Sequence, residues 1–208
     1  MLPISGNYLN FRKEQFVKGL FAISAIVALA APLAIAQTST YTLDPAHSSV
    51  DFTVRHLSLS NVHGRFGKVT GTIQMDAADM SKSSVQVTID VTGVDTGVTP
   101  RDNDLKSDHF FDVAVYPAAT FTSTSVTKSS SGLTIAGNLS LHGVTKPVTL
   151  QVDGPAGPVS GMDHKPHIGF AATATLNRTD FGIGPKYPDS MIGDEIKLTI
   201  DLDAGKQQ

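Results

Sequence analysis

The sequence contains no cysteine and no tryptophan, and only 17% of its 208 residues carry charged side chains. Without cysteine the chain forms no disulfide, has no thiol nucleophile, and offers no thiol to which haem or a lipid anchor could be attached. It also lacks the Gly-x-x-x-x-Gly-Lys-Ser/Thr loop that binds nucleotide phosphates and the Gly-x-Ser-x-Gly turn of many serine hydrolases. These absences argue against several common classes of enzyme and favour a binding or structural role.

The first 36 residues have the pattern of a secretory signal peptide. Three basic residues between positions 12 and 18 precede an apolar run over residues 19–31, and Ala34-Ile35-Ala36 has the small-x-small form of a cleavage site. The alternative is a membrane anchor, but a spanning helix needs about 20 apolar residues. This stretch is slightly shorter and contains Pro32. We therefore expect a signal peptide over residues 1–36, cleavage after Ala36, export to the periplasm, and no stable membrane insertion afterwards.

The mature chain, residues 37–208, is mildly acidic. The leader contains Arg12, Lys13, Lys18 and Glu14, so 13 basic and 18 acidic residues remain after its removal. This balance argues against nucleic acid as a partner. The length is sufficient for one domain with a sizeable core. The sequence leaves the oligomeric state open, a homodimer included.

Apolar and small polar residues alternate along repeated stretches of the mature chain. Val50, Phe52 and Val54 alternate with polar residues, and the same period of two recurs around residues 69–75, 85–91, 121–125, 133–141, 148–152, 168–176 and 196–202. A period of two places one set of side chains on each face of a strand. We predict an all-β, antiparallel barrel of about eight strands, because closing a sheet removes its unpaired edges. A two-sheet sandwich is the alternative.

Two segments depart from this alternation. Thr99 is a candidate N-cap with Pro100 at the first helical position and Asp102 at the third, so a short helix is predicted there. Residues 154–166 are rich in glycine and proline and are predicted to form a long surface loop.

The predicted loop also holds the closest spacing of possible metal ligands, which are Asp163, His164 and His167. A closed metal site usually takes four ligands, and a proline interrupts this set. We predict no metal site and no other cofactor.

Small residues share the apolar register of the strands with phenylalanines. Gly71, Gly137 and Ala172 are examples, and they lie in register with side chains such as Phe121 and Phe170. Eight-stranded barrels are either filled by side chains or hold one small ligand. The pattern therefore fits an apolar tunnel, but it fits equally a core in which neighbouring large residues fill the space.

Several specific motifs are similar to those of the YceI family, and together they cover essentially the whole mature chain. Asp104 is a departure, since histidine is typical of the family there. The motifs are Tyr41-Thr42-Leu43-Asp44-Pro45-Ala46-His47-Ser48, Arg101-Asp102-Asn103-Asp104-Leu105-Lys106-Ser107, Phe110-Phe111-Asp112, Leu141-His142-Gly143-Val144-Thr145-Lys146-Pro147-Val148, and Arg178 with Asp180, Phe181 and Gly182.

The resemblance implies a lipocalin-like, eight-stranded barrel with an elongated apolar pore. Such a barrel is expected to bind a polyisoprenoid, an isoprenoid quinone or a similar long-chain amphiphile, and to act as a carrier with no catalytic residues. A polar mouth is expected at His56, Arg101, Asp102 and Arg178. The expected lipid-binding residues are Phe52, Val54, Phe66, Leu105, Phe110, Phe111, Phe121, Leu139, Phe170, Ala172 and Phe181.

Two rival functions remain at this point. A lipid-modifying enzyme would use a histidine such as His56 or His142 together with a nearby aspartate. A structural or stress-response barrel would have a filled core and no ligand.

The leader generates the first prediction. The protein recovered from the periplasm should begin at Gln37, because the cleavage site follows Ala36. Intact-mass analysis of the periplasmic fraction measures this directly. Recovery of a membrane-bound chain that still carries residues 19–36 would contradict the prediction.

Overall fold

The computed structural model describes residues 38–129 and 132–208, so the predicted signal peptide lies outside the described residues. Ten strands make up almost all of the regular structure. They are β1 Ser39–Leu43, β2 Ser49–His56, β3 Ser60–Arg65, β4 Val69–Met75, β5 Ser84–Asp90, β6 Ala118–Ser129, β7 Gly132–Leu141, β8 Val144–Ser160, β9 Pro166–Asn177 and β10 Ile192–Lys206.

The strands form a closed antiparallel barrel. Hydrogen bonds join them in the order β1, β4, β5, β6, β7, β8, β9, β10, and β10 pairs back to β1 through Tyr41 and Lys206. β2 continues the side begun by β1 and pairs with the first part of β10, while β3 pairs with β2 and leads into β4. β1 and β2 together therefore form one interrupted side of the barrel, and β3 and β4 together form another. The barrel has eight sides, as predicted.

The helical segments are short. Helix α1 runs over Thr99–Lys106, and two 3-10 turns cover Met80–Lys82 and Arg178–Phe181. The predicted N-cap was wrong by one residue, because Val98 occupies that position and makes no side-chain cap. No helix within residues 38–129 and 132–208 is long and apolar enough to cross a bilayer.

Burial follows the predicted alternation. On β9, Ile168, Ala172 and Ala174 are buried, while Ala171 and Thr173 between them are exposed. The inward side chains of all eight sides meet in one apolar interior. The core therefore lies inside the barrel, and the outer face is polar.

Two inward glycines make room for aromatic rings. A Cβ at Gly64 would lie 2.3 Å from Cζ of Phe52, and a Cβ at Gly137 would lie 2.3 Å from Cζ of Phe121. Each ring thus lies against the backbone of a neighbouring strand. At these two positions a large neighbour fills the space, which was one of the two alternatives left open by the sequence.

The loop predicted over residues 154–166 is mostly strand, and this prediction was wrong. β8 continues to Ser160 and pairs with β9 through Ala156 and Val159, with shifts in register on both sides of Ala156. Proline cannot donate to a ladder, but it is tolerated at bulges, where one residue is left unpaired. The turn itself is only residues 161–165.

Arg178 corrects a third expectation. It was expected at a polar mouth, but only 3% of the residue is exposed. Nη2 lies 2.7 Å from a carboxylate oxygen of Asp194. All five N–H groups donate to backbone carbonyls, which belong to Gly193, Ile183, Gly184, Tyr187 and Ile192. Arg178 therefore holds the segment between β9 and β10 against the barrel.

Arg178→Met should destabilise the protein by about 3 kcal/mol or more, because it leaves buried carbonyls without their donor and Asp194 without its opposite charge. The matched control is Arg65→Met, which removes a largely exposed arginine paired with Asp51. The control should cost no more than about 1 kcal/mol. Urea denaturation of both variants measures the difference. Equal losses of stability in the two variants would contradict the role of Arg178 in holding the segment between β9 and β10 against the barrel.

Candidate functional site

Two apolar cavities occupy the barrel interior. The far cavity, at the end away from α1, has a volume of about 100 Å³. The helix-side cavity, which includes Leu105 of α1, also has a volume of about 100 Å³. Apart from Ser83 and Ser84 in the first and Arg178 in the second, all lining residues are apolar. The interior offers almost nothing but hydrophobic contact.

The two cavities meet at a waist formed by residues that line both, which are Val50, Ile89, Leu139 and Leu198. On β10 the lining extends from Ile192 in the helix-side cavity to Leu202 in the far cavity. Ten strand residues with the usual barrel tilt correspond to about 25 Å along the axis. The site therefore consists of two apolar cavities that follow one another along the barrel axis and share the waist residues.

All eleven residues expected to bind lipid line this space. Phe121, Phe170 and Ala172 line the far cavity, and Leu139 belongs to both. The other seven line the helix-side cavity, and they are Phe52, Val54, Phe66, Leu105, Phe110, Phe111 and Phe181.

Aromatic rings dominate the helix-side cavity. The ring centroid of Phe66 lies 5.2 Å from that of Phe52 and 5.6 Å from that of Phe111. Phe110 stacks on Tyr187 at 5.1 Å. These contacts fix the segment that follows α1 across the end of the barrel, because offset and edge-to-face pairs are favourable at such distances.

Other lining residues were not singled out beforehand. The waist residues Val50, Ile89 and Leu198 each stand on the apolar register of an alternating stretch, so the sequence pattern could have identified them as lining residues. Met80 lies in the 3-10 turn between β4 and β5, outside any alternating pattern, and only the fold brings it to the far cavity.

A third pocket, here called the mouth, opens beside α1. It shares Phe52, Val54, Leu105, Phe110 and Ile192 with the helix-side cavity. Its polar lining consists of Arg55, His56, Arg101 and Asp104. The structure thus brings two of the four expected mouth residues, His56 and Arg101, to the place where the apolar space meets solvent.

Asp102 is not part of this lining. Its Oδ1 accepts from the backbone N–H of Thr96 at 2.8 Å and from the Thr96 hydroxyl, and the hydroxyl bond lowers the pKa of Asp102. Arg101 Nε donates to the same hydroxyl oxygen at 2.7 Å. Both charged groups therefore brace the start of α1 through Thr96, and only Arg101 also faces the mouth.

His142, one of the two histidines named for a possible enzyme, contacts a backbone carbonyl rather than an aspartate. Nδ1 of His142 lies 2.9 Å from the backbone oxygen of Phe181, and its ring packs edge-on against Tyr116. His142 thus joins the β7–β8 turn to the 3-10 turn after β9.

His167 lies between two carboxylates at the far end of the barrel. Its Nδ1 is 2.5 Å from Asp203 Oδ1, and its Nε2 is 3.2 Å from Asp163 Oδ1. Both ring nitrogens must carry a proton to donate to both acceptors. The hydrogen bond to Asp203 is the main cause that raises the pKa of His167, and the Lys165 backbone N–H followed by His167 lowers that of Asp163. Within the described residues no group of three His or acidic side chains is placed to hold a metal.

The sequence profile of the YceI-like domain family matches residues 41–204, which include the strands that line the apolar interior. The chain belongs to the YceI family. The protein named YceI of Salmonella newport is 38% identical over 166 residues, which cover 78% of this chain and 83% of that protein.

Solved structures agree with the YceI fold. A YceI protein of Campylobacter jejuni has a TM-score of 0.64 and 31% identity, and the match covers 74% of this chain and 90% of that one. A polyisoprenoid-binding domain from Saccharophagus degradans has a TM-score of 0.59, covering 82% of this chain and 100% of that one. At 19% identity the second likeness shows the fold alone.

The His167 contacts predict a pH dependence of stability. A pKa raised by folding gives a stabilisation that is complete below the unfolded value of 6.5 and is lost as the pH rises through the folded value. His167→Gln should therefore lower Tm more at about pH 5.5 than at about pH 9. The control is His164→Gln, whose exposed side chain should matter little at either pH. An equal Tm loss at both pH values would contradict the charged pair.

Proposed function

We propose that the mature chain is a periplasmic carrier that holds a long apolar lipid inside the barrel. The observation that supports this most is the pair of apolar cavities inside the barrel, together with the pocket beside α1 that shares lining residues with one of them. A barrel that needed only to be stable would fill this volume with side chains, since protein interiors are normally close-packed.

Burial of the lipid supplies the affinity. An interior of about 25 Å accommodates an extended chain of about 20 carbon atoms, at about 1.25 Å of projected length per carbon–carbon bond. Each methylene removed from water contributes about 0.8 kcal/mol, on the order of 15 kcal/mol for the chain before the loss of motion is subtracted. Polar contacts are not required for tight binding.

We infer that the ligand is an isoprenoid chain or a similar amphiphile with its polar end at the mouth. The wall there combines Phe52, Leu105 and Phe110 with the charged Arg101 and the imidazole of His56. This arrangement suits a molecule that is apolar along most of its length and polar at one end. The S. degradans domain, with the same fold, is described as polyisoprenoid-binding, which favours the isoprenoid class.

Ala172→Trp tests the carrier function. Ala172 is buried and lines the far cavity, so an indole there takes the place of lipid. The variant should fold and, once delipidated, melt close to the parent, because aromatic residues suit strands. Organic extraction followed by mass spectrometry should find lipid with the parent and much less with the variant.

Thr173→Trp is the matched control, because the neighbouring residue of the same strand is exposed on the outer face. It should keep the lipid. A filled core would give the opposite result: a parent without lipid and an Ala172→Trp variant destabilised by about 1–3 kcal/mol through overpacking. Chemical change of the extracted lipid on incubation with the protein would instead favour the enzyme. Stability must be compared without ligand, since bound lipid raises apparent stability.

A further inference from the structure

The hairpin between β2 and β3 exposes two leucines at its tip. Leu57 is 46% exposed and Leu59 is 78% exposed. A single exposed leucine is common on protein surfaces, but two within three residues at a projecting turn make a small apolar tip.

The turn is also unfavourable for the residues that form it. Leu57 and Ser58 have φ angles of 51° and 54°, in the left-handed region. Turn positions with such φ angles normally carry Asn or Gly, because a bulky side chain is strained there. The sequence therefore places leucine where another residue would fold better, which is a pattern associated with functional sites.

This tip lies beside the mouth. The N–H of Leu57 donates to the carbonyl of Met191 at 2.9 Å. His56, which precedes Leu57, and Ile192, which follows Met191, both line the mouth. Met191 is 43% exposed.

Val98, at the other side of the opening, completes the set. It is 44% exposed and stands two residues before Pro100, which lines the mouth. We call Leu57, Leu59, Val98 and Met191 the apolar rim.

The charge of the hairpin distinguishes it from the rest of the mature chain. Around the tip, residues 55–63 contain one arginine and two histidines but no Asp or Glu, whereas acidic residues outnumber basic ones in the mature chain as a whole. Arg55 is held at the tip, where it donates to Asn61 Oδ1 at 3.2 Å and to the Ser58 carbonyl at 3.0 Å. Asp104, the acid of the mouth, lies 2.8 Å from Nδ1 of His109.

We infer that the apolar rim inserts into the surface of a bilayer containing anionic phospholipids, so that the mouth is pressed against the membrane. Leucine and methionine side chains enter the interfacial region, and arginines beside them meet lipid phosphates. This inference rests on the proposed carrier function, because a long apolar chain must pass between barrel and membrane without crossing water.

The test compares two double variants of the full mature protein. Leu57→Asn with Leu59→Ser removes the tip, and Asn relieves the strained turn, so the variant should fold at least as well as the parent. Val159→Ser with Met162→Ser removes two exposed apolar side chains at the β8–β9 turn, away from the mouth. Flotation with phosphatidylethanolamine–phosphatidylglycerol vesicles measures binding, and phosphatidylcholine vesicles test the need for anionic lipid.

We expect the parent and the Val159/Met162 variant to float with the anionic vesicles. The Leu57/Leu59 variant should bind at least about tenfold more weakly, because it loses two apolar contacts. Binding should also fall on phosphatidylcholine. A parent that binds no vesicles, or a Leu57/Leu59 variant that binds as the parent does, would overturn the inference.

Lipid transfer separates this inference from the carrier function itself. Protein purified with its lipid is mixed with anionic vesicles, and the lipid left on the protein is followed by mass spectrometry. The Leu57/Leu59 variant should carry the same lipid as the parent but release it more slowly. If it carries lipid and releases it at the parent rate, the rim inference fails and the carrier function stands. If the parent carries no lipid, the carrier function fails, and vesicle flotation still tests the rim.

Discussion

The pairing of β10 with both β9 and the first side of the barrel is the interaction on which the rest of the structure depends. β10 runs beside β9 from Glu195 to Gly205 and returns on its other edge to β2 and β1. Without it the sheet would have two open edges and an interior exposed to water along its length. With no disulfide to hold the ends, this backbone ladder alone closes the apolar space.

Closure creates a second constraint, because an interior that is left partly open gives up packing contacts. The packing contacts that the interior lacks are offset by contacts within the barrel wall. Phe52 and Phe121 pack against Gly64 and Gly137, and Arg178 donates to five carbonyls of β10 and of the segment before it. The walls are thus packed and hydrogen-bonded where the interior is not filled. This division fits a container whose contents are exchanged while its shape is kept.

The sequence predicted the long strands because their apolar period is visible in any single stretch. It did not predict β3, whose residues Ser60–Arg65 are mostly polar and exposed and which is held by its pairing with β2. Arg178 was misplaced for a related reason. Its partners are backbone carbonyls brought together by the fold, and no pattern of residue types reports them. The proline-rich end of β8 was misread because bulges tolerate residues that regular ladders exclude.

The lining of the cavity was more predictable than its mouth, and the reason is physical. A strand in a closed barrel has only two faces, so an apolar register assigns its side chains to the interior almost automatically. A charged side chain near a strand end can adopt several orientations. Arg101, for example, donates to Thr96 and also borders the mouth. The two ends of the barrel consequently differ in kind. Carboxylates around His167 tie the β8–β9 turn to β10 at the far end, whereas exposed leucines and a cationic hairpin surround the opening beside α1. The second end combines exposed apolar side chains with a pocket that borders the apolar interior, which makes that end the one through which exchange is expected.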